Sequence, residues 1–210
     1  MKNTERRIYV VGGDFGYCNW MGGKVVRDMK DANLVVFTGG ADLTPSLYGK
    51  KQHPTTGNNW NRDVAELEEY KKAKQLGLAM IGICRGSQWL AAMNGGSLVQ
   101  HQSHPYLHSI TTNDGRKFIT SSTHHQRASL KEIEKDVELL AWAEHLSPYS
   151  YGESDQDILD EEKEAEIVYY ASTNSLGIQG HPEFFWPTEN EEQAKFIDYC
   201  REVVTKYLKV

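Results

Sequence analysis

The sequence predicts an α/β fold in which a mostly parallel, doubly wound sheet is flanked by helices and carries a small antiparallel β extension. Three observations lead there. Short apolar runs alternate with helical patterns through the first half of the chain, which implies strands joined by crossover helices. Each of these runs ends in glycine, at Gly12-Gly13, Gly39-Gly40 and the Gly82 to Gly86 turn. Beyond Gly95-Gly96 the runs become short and β-like, with the turn signal Asn113-Asp114-Gly115 between two of them. A length of 210 residues fits one domain, 1–210, with a sizeable core.

Taken in order, Ile8 to Val11 is a short buried strand, and the apolar positions from Trp20 to Met29 suit a helix. Leu34 to Thr38 is a second strand, running into an irregular stretch that lasts to Asn61. A helix follows, capped by Asn61 or Asp63, patterned by Val64, Leu67, Tyr70, Lys71 and Lys74, and stopped at Gly77. Ala79 to Ile83 is the third strand and Ser87 to Met93 the helix behind it. Further strands fit Ser97 to Gln100, His108 to Thr112, Lys117 to Ser121, Glu138 to Trp142, Glu166 to Ala171 and Leu176 to Gln179. Thr188 to Leu208 closes the chain as a helix, with Thr188 and Glu191 spaced as a capping box.

Composition bounds the function. The net charge is −6, and an acidic chain disfavours nucleic-acid binding, which needs a basic surface. Seven acids and one base between Ser154 and Glu166 account for all of that charge, and a solvated loop or exposed helix face is the expected setting. Cys18, Cys84 and Cys200 are an odd count without C-x-x-C spacing, pointing to a reducing compartment and a cytoplasmic protein. The apolar run in MKNTERRIYVVGG is too short for a signal peptide, and no stretch reaches membrane-spanning length.

Chemistry concentrates around Cys84. The frame Gly82-Ile83-Cys84-Arg85-Gly86 lies between a strand and a helix, which is the pattern of a nucleophile elbow. Such a turn lifts its central side chain toward substrate at a helix start, where free N–H groups and the dipole favour an anion. An inert buried cysteine is the alternative. A thiol nucleophile needs a base, and the base needs an orienting group. Gly180-His181-Pro182-Glu183 supplies both, because in extended chain His181 and Glu183 point the same way. The N–H of Arg85 and a Gly39-Gly40 turn fit an oxyanion hole, although two glycines equally make a plain tight turn.

Several motifs occur in order: Thr38-Gly39-Gly40-Ala41-Asp42-Leu43-Thr44-Pro45-Ser46-Leu47-Tyr48-Gly49, Arg62-Asp63 with Glu66, Gly82 to Gln88, Gly95-Gly96, Thr123-His124-His125-Gln126 and Gly177 to Glu183. Together they resemble the class I glutamine amidotransferase superfamily, in its gamma-glutamyl-gamma-aminobutyrate hydrolase-like branch. The resemblance spans about Leu34 to Glu183. It implies Cys84 as nucleophile, His181 as general base and acid, and Glu183 as its orienting partner. Gly40 and Arg85 would form the oxyanion hole, and Gln88, His124 and His125 would bind the glutamyl moiety. Gln88 also fits an ordinary polar helix residue. Three features depart from that branch: a short region before Leu34, the acidic Ser154 to Glu166 stretch, and Gly180 where a bulkier, often aromatic, residue is common.

The expected reaction is hydrolysis of a gamma-glutamyl amide, with a small-molecule gamma-glutamyl substrate and no cofactor. The alternative is a glutaminase subunit feeding ammonia to a separate synthetase. His101, His104 and His108 share a helical spacing that invites a metal site, but Pro105 interrupts the helix, so no metal is expected. Gly22-Gly23-Lys24-Val25 lacks the remaining residues of a phosphate-binding loop.

Overall fold

The computed structural model describes residues 5–13, 15–102, 106–133, 135–144, 163–184 and 191–210. Eleven strands and three α-helices occupy them: β1 Arg7–Val10, β2 Lys24–Val25, β3 Leu34–Phe37, α1 Trp60–Gln75, β4 Ala79–Ile83, α2 Arg85–Met93, β5 Ser97–Val99, β6 Leu107–Thr112, β7 Lys117–Ser121, β8 Arg127–Ser129, β9 Val137–Glu144, β10 Lys163–Tyr170, β11 Ser175–Ile178 and α3 Glu191–Tyr207. Nine strands form one sheet in the order β2-β1-β3-β4-β11-β10-β9-β6-β7, and β5 pairs with β8 in a second small sheet. From β2 to β11 the pairings are parallel, and from β11 to β7 they are antiparallel.

Two apolar layers enclose the sheet. The central strands β3 and β4 are buried throughout, so their side chains feed both faces, as parallel strands between helices require. On one face Phe37, Met80 and Tyr170 pack with Tyr70 of α1 and Trp89 of α2. On the other, Ile8, Ile81 and Ile178 pack with Phe196, Val203 and Val204 of α3. This is the doubly wound mixed fold that the alternating pattern predicts.

Some elements differ from expectation. Trp20 to Met29 is not a helix. Trp20 and Met21 are buried in the core, yet Gly22 and Gly23 take φ values of 67° and 113°, which turn the chain into β2 beside β1. The cap of α1 is Asn59, whose side chain accepts from the N–H of Arg62, and not Asn61 or Asp63. Its buried face holds Asp63, Glu66, Tyr70 and Ala73, while Val64 is exposed. Part of the acidic run is also buried: Glu164 and Glu166 lie inside β10, with Glu166 Oε1 2.8 Å from His108 Nε2. Thr188 and residues 154–162 lie outside the described residues.

Candidate active site

The carboxyl ends of β3, β4 and β11 are neighbours in the parallel part of the sheet, and the loops leaving them carry the Gly39-Gly40 turn, Cys84 and His181. That is where open α/β sheets place their ligand sites. Cys84 is the junction between β4 and α2. Its φ of 53° and ψ of −110° fall outside the regions an L residue prefers, the strained geometry of an elbow. Strand pairing holds it there, because the Cys84 N–H donates to Ile178 O at 2.8 Å and Ser87 N–H donates back to Cys84 O at 2.9 Å.

The flanking glycines are demanded by close backbone approach. A Cβ on Gly82 would lie 2.1 Å from Gly86 O, and one on Gly86 would lie 2.2 Å from Phe37 O. No side chain fits at either position, so the tight bend and its packing on β3 depend on both. Gly180 follows the same logic. Its Cβ would fall 2.0 Å from Thr120 Oγ1, which explains why this chain departs from a bulky residue before the histidine.

His181 is buried, and its Nδ1 lies 2.6 Å from Glu183 Oε1. The segment is a turn and not the extended chain expected: Phe184 N–H donates to His181 O at 3.2 Å, and this bend, not strand alternation, brings the Glu183 carboxylate to the ring. The other ring nitrogen, Nε2, lies 3.0 Å from Thr123 Oγ1. Phe184 stacks on the imidazole with centroids 4.2 Å apart and planes within 2°. Burial opposes a charged ring, but hydrogen bonds to Cys84 and Glu183 outweigh it and raise the His181 pKa to about 9. A thiol, an imidazole and a carboxylate thus stand in series. Thr123 belongs to the motif the sequence singled out, although not as a contact of the histidine, whereas Phe184 gave no signal beyond its adjacency to Glu183.

The Gly39-Gly40 turn faces this group. A Cβ on Gly39 would lie 3.5 Å from Cys84 Cβ and 3.4 Å from His181 Cε1, and would strike the Tyr17 hydroxyl at 2.7 Å. Gly40 has a φ of 132°, and its missing Cβ is replaced by the Arg62 guanidinium, whose Nη1 would be 2.2 Å away. Beside the turn opens a cleft of about 460 Å³ lined by Tyr17, Thr38, Gly39, Arg62, Glu66 and Glu69, among others.

Arg85 does more than offer an N–H. Its guanidinium is 1 % exposed and paired with Asp63 and Glu66 on α1. Glu66 also accepts from Arg62 Nε at 2.7 Å, and Asp63 accepts from the N–H and hydroxyl of Thr44. The spaced motif Arg62-Asp63 with Glu66 is the sequence trace of this network.

The other expected binding residues surround the site without all facing it. Gln88 is buried, donating to Gln126 O at 2.9 Å and approaching Gln179 Oε1 at 3.3 Å, so it braces the segment that carries Thr123. His124 Nδ1 lies 2.8 Å from Gln126 O. His125 Nε2 contacts Asp42 Oδ2 at 3.0 Å, and that hydrogen bond raises its pKa against the opposing effect of partial burial. His101 Nδ1 approaches His125 Nδ1 at 3.3 Å, and His108 is turned to Glu166 instead. No group of three or more metal-binding side chains exists among the described residues. Among the same residues no helix is long and apolar enough to cross a membrane.

Comparison with known proteins adds a family. The profile described as Peptidase C26 matches residues 24–183. A putative glutamine amidotransferase of Mycobacterium tuberculosis is 44% identical over 70 residues, which cover 33% of this chain and 23% of that protein. A putative glutamine amidotransferase-like protein of Lactococcus lactis is 28% identical over 185 residues, covering 77% of this chain and 70% of that protein. A solved glutamine amidotransferase from Thermotoga maritima superposes with a TM-score of 0.52 at 14% identity, over 96% of this chain and 85% of that one, and shares its fold.

Proposed function

The chain belongs to the Peptidase C26 family, a family of amide-bond hydrolases, and from that premise we propose that it hydrolyses gamma-glutamyl amides through Cys84, His181 and Glu183. The observation that carries this reading is the grouping around His181: Glu183 lies 2.6 Å from Nδ1, and the ring and Cys84 meet at Gly39, whose Cβ would lie 3.4 Å from His181 Cε1 and 3.5 Å from Cys84 Cβ.

In the proposed reaction His181 already holds the proton given up by Cys84, and the sulfur attacks the amide carbonyl. The N–H groups of Gly40 and Arg85 receive the oxyanion. His181, held in orientation by Glu183, gives its proton to the departing amine as the C–N bond breaks. Water, deprotonated by the same imidazole, then attacks the thioester, releasing glutamate and returning the thiol. A pKa of about 9 suits the acid half of this cycle, since the ring is protonated when the amine must leave. Glutamyl binding would fall to the segment at Thr123 to His125, braced by Gln88.

The relatives named as glutamine amidotransferases support a second reading, in which glutamine is the substrate and ammonia passes to a synthetase partner. One assay separates the two and tests both. Glutamate release is measured from glutamine and from a panel of gamma-glutamyl amines, with wild type beside Cys84→Ala. Preference for substituted amines supports the hydrolase, and turnover of glutamine alone, stimulated by a co-purifying protein, supports the amidotransferase subunit. Equal rates for wild type and Cys84→Ala would remove the cysteine mechanism.

A further inference from the structure

We propose that Arg62 is a positioning residue for the oxyanion hole, fixing the Gly39–Gly40 peptide so that the Gly40 N–H faces the reacting carbonyl. The inference rests on the reading of Gly40 and Arg85 as oxyanion donors given above. Arg62 Nη2 donates to Gly39 O at 2.9 Å, and also to Thr38 O and Thr38 Oγ1, both at 3.2 Å. A trans peptide is planar, with its carbonyl and N–H on opposite sides. Anchoring Gly39 O on the guanidinium therefore aims the Gly40 N–H away from Arg62. Rotation of that peptide would cost its hydrogen bond to a charged group, and the two bonds to Thr38 keep that group in place.

Arg62 is itself held. Its Nε donates to Glu66 Oε1 at 2.7 Å, and the second oxygen of Glu66 accepts from Arg85 Nη1. The backbone N–H of Arg85 is the other oxyanion donor. One carboxylate thus ties the side chain that orients the first donor to the residue that supplies the second, and the two are set as a unit. Arg62 also fills the space of a Gly40 side chain, so the arginine and the glycine require each other. A lysine offers a point charge in place of the fork and cannot satisfy Glu66 and the loop carbonyls together.

The test separates oxyanion formation from thiol reactivity. Acylation by p-nitrophenyl acetate forms a bond from the Cys84 sulfur to the acetyl carbon through an oxyanion and expels p-nitrophenolate. Alkylation by iodoacetamide displaces iodide from carbon with no oxyanion. Both rates are measured on wild type, Arg62→Met and Arg62→Lys, with alkylation read at the Cys84 peptide by mass spectrometry. Acylation by Arg62→Met is expected to fall on the order of 100-fold, the loss typical of one oxyanion donor, while alkylation stays near the wild-type rate. Arg62→Lys is expected to lie between, and it carries the comparison if the methionine variant does not fold. Parallel loss of both rates, or acylation at the wild-type rate in either folded variant, would overturn the proposal. The ester does not require gamma-glutamyl recognition. Wild type that acylates normally yet releases no glutamate from any gamma-glutamyl amide would refute the substrate reading and leave the Arg62 comparison standing.

Discussion

His181 Nδ1 lies 2.6 Å from Glu183 Oε1, and both side chains are about 95 % buried, at 5 % and 6 % exposure. A carboxylate that close in so dry a setting orients the ring and favours the imidazolium, with Thr123 Oγ1 3.0 Å from the other nitrogen. Burial works in the opposite direction, and the hydrogen bonds to Cys84 and Glu183 prevail, leaving the pKa at about 9.

A pH prediction follows from that sign. Amide turnover requires protonated His181 to expel the amine, so kcat/KM is expected to fall as pH rises through about 9. Acylation by an ester with a good leaving group does not need that proton and should lack the alkaline limb. Glu183→Gln removes a carboxylate that favours the cation, moving the limb to lower pH. The raised pKa also links to stability: its contribution is complete below the unfolded value near 6.5 and is lost as pH rises through about 9. Unfolding midpoints of wild type and Glu183→Gln between these limits, with NMR titration of His181, check both statements.

Asp63→Ala leaves the buried Arg85 guanidinium with one carboxylate where it had two. Breaking a buried pair in this way costs about 3–5 kcal/mol, and denaturant unfolding should show a loss of that order. Asp63→Asn, which keeps one acceptor oxygen for either Arg85 or Thr44 where Asp63 serves both, should lose less than Asp63→Ala.

Gly40→Ala tests the oxyanion turn from the other side. A φ of 132° and a guanidinium 2.2 Å from the new Cβ oppose the substitution, and backbone strain of this kind costs of order 1–3 kcal/mol. The protein is expected to fold with a reduced unfolding midpoint and a larger proportional loss in kcat than in KM. Unchanged kcat would exclude the turn from the reacting centre.

Gly180→Ala collides with Thr120 Oγ1 on β7. Overpacking in such a site costs typically about 1–3 kcal/mol. Thr120→Ala removes the obstructing hydroxyl, and the Thr120→Ala/Gly180→Ala double variant should recover most of the loss. A double-mutant cycle of thermal unfolding reads the coupling, and additive losses would contradict the contact.

Much of the architecture was legible because strand and helix periods are local. The runs at Leu34 and Ala79, buried on both faces, read as parallel strands, and β10, β11 and α3 were recognisable from their apolar patterns. The helix expected from Trp20 to Met29 was not there. Its apolar residues are core residues, but two glycines at positive φ make a turn and a short strand, and periodicity alone cannot distinguish these outcomes. The α1 helix misled in another way. Its inward face is acidic at Asp63 and Glu66 because its partner is a buried arginine, so the usual rule of an apolar inner stripe picked the exposed Val64.

By itself the sequence determined the family, through ordered motifs, and the elbow frame around Cys84, because glycine spacing and residue type are properties of the chain. Tertiary structure alone decided what those residues meet. Three strands adjacent in the sheet but distant in sequence bring the Gly39-Gly40 turn, Cys84 and His181 to one edge. The same packing turns Gln88 into a brace, joins His125 to Asp42, and closes Arg62, Glu66 and Arg85 into one charged network. Hydrogen-bond partners separated by many residues leave no periodic trace, so their pairing depends on how the strands are ordered in space.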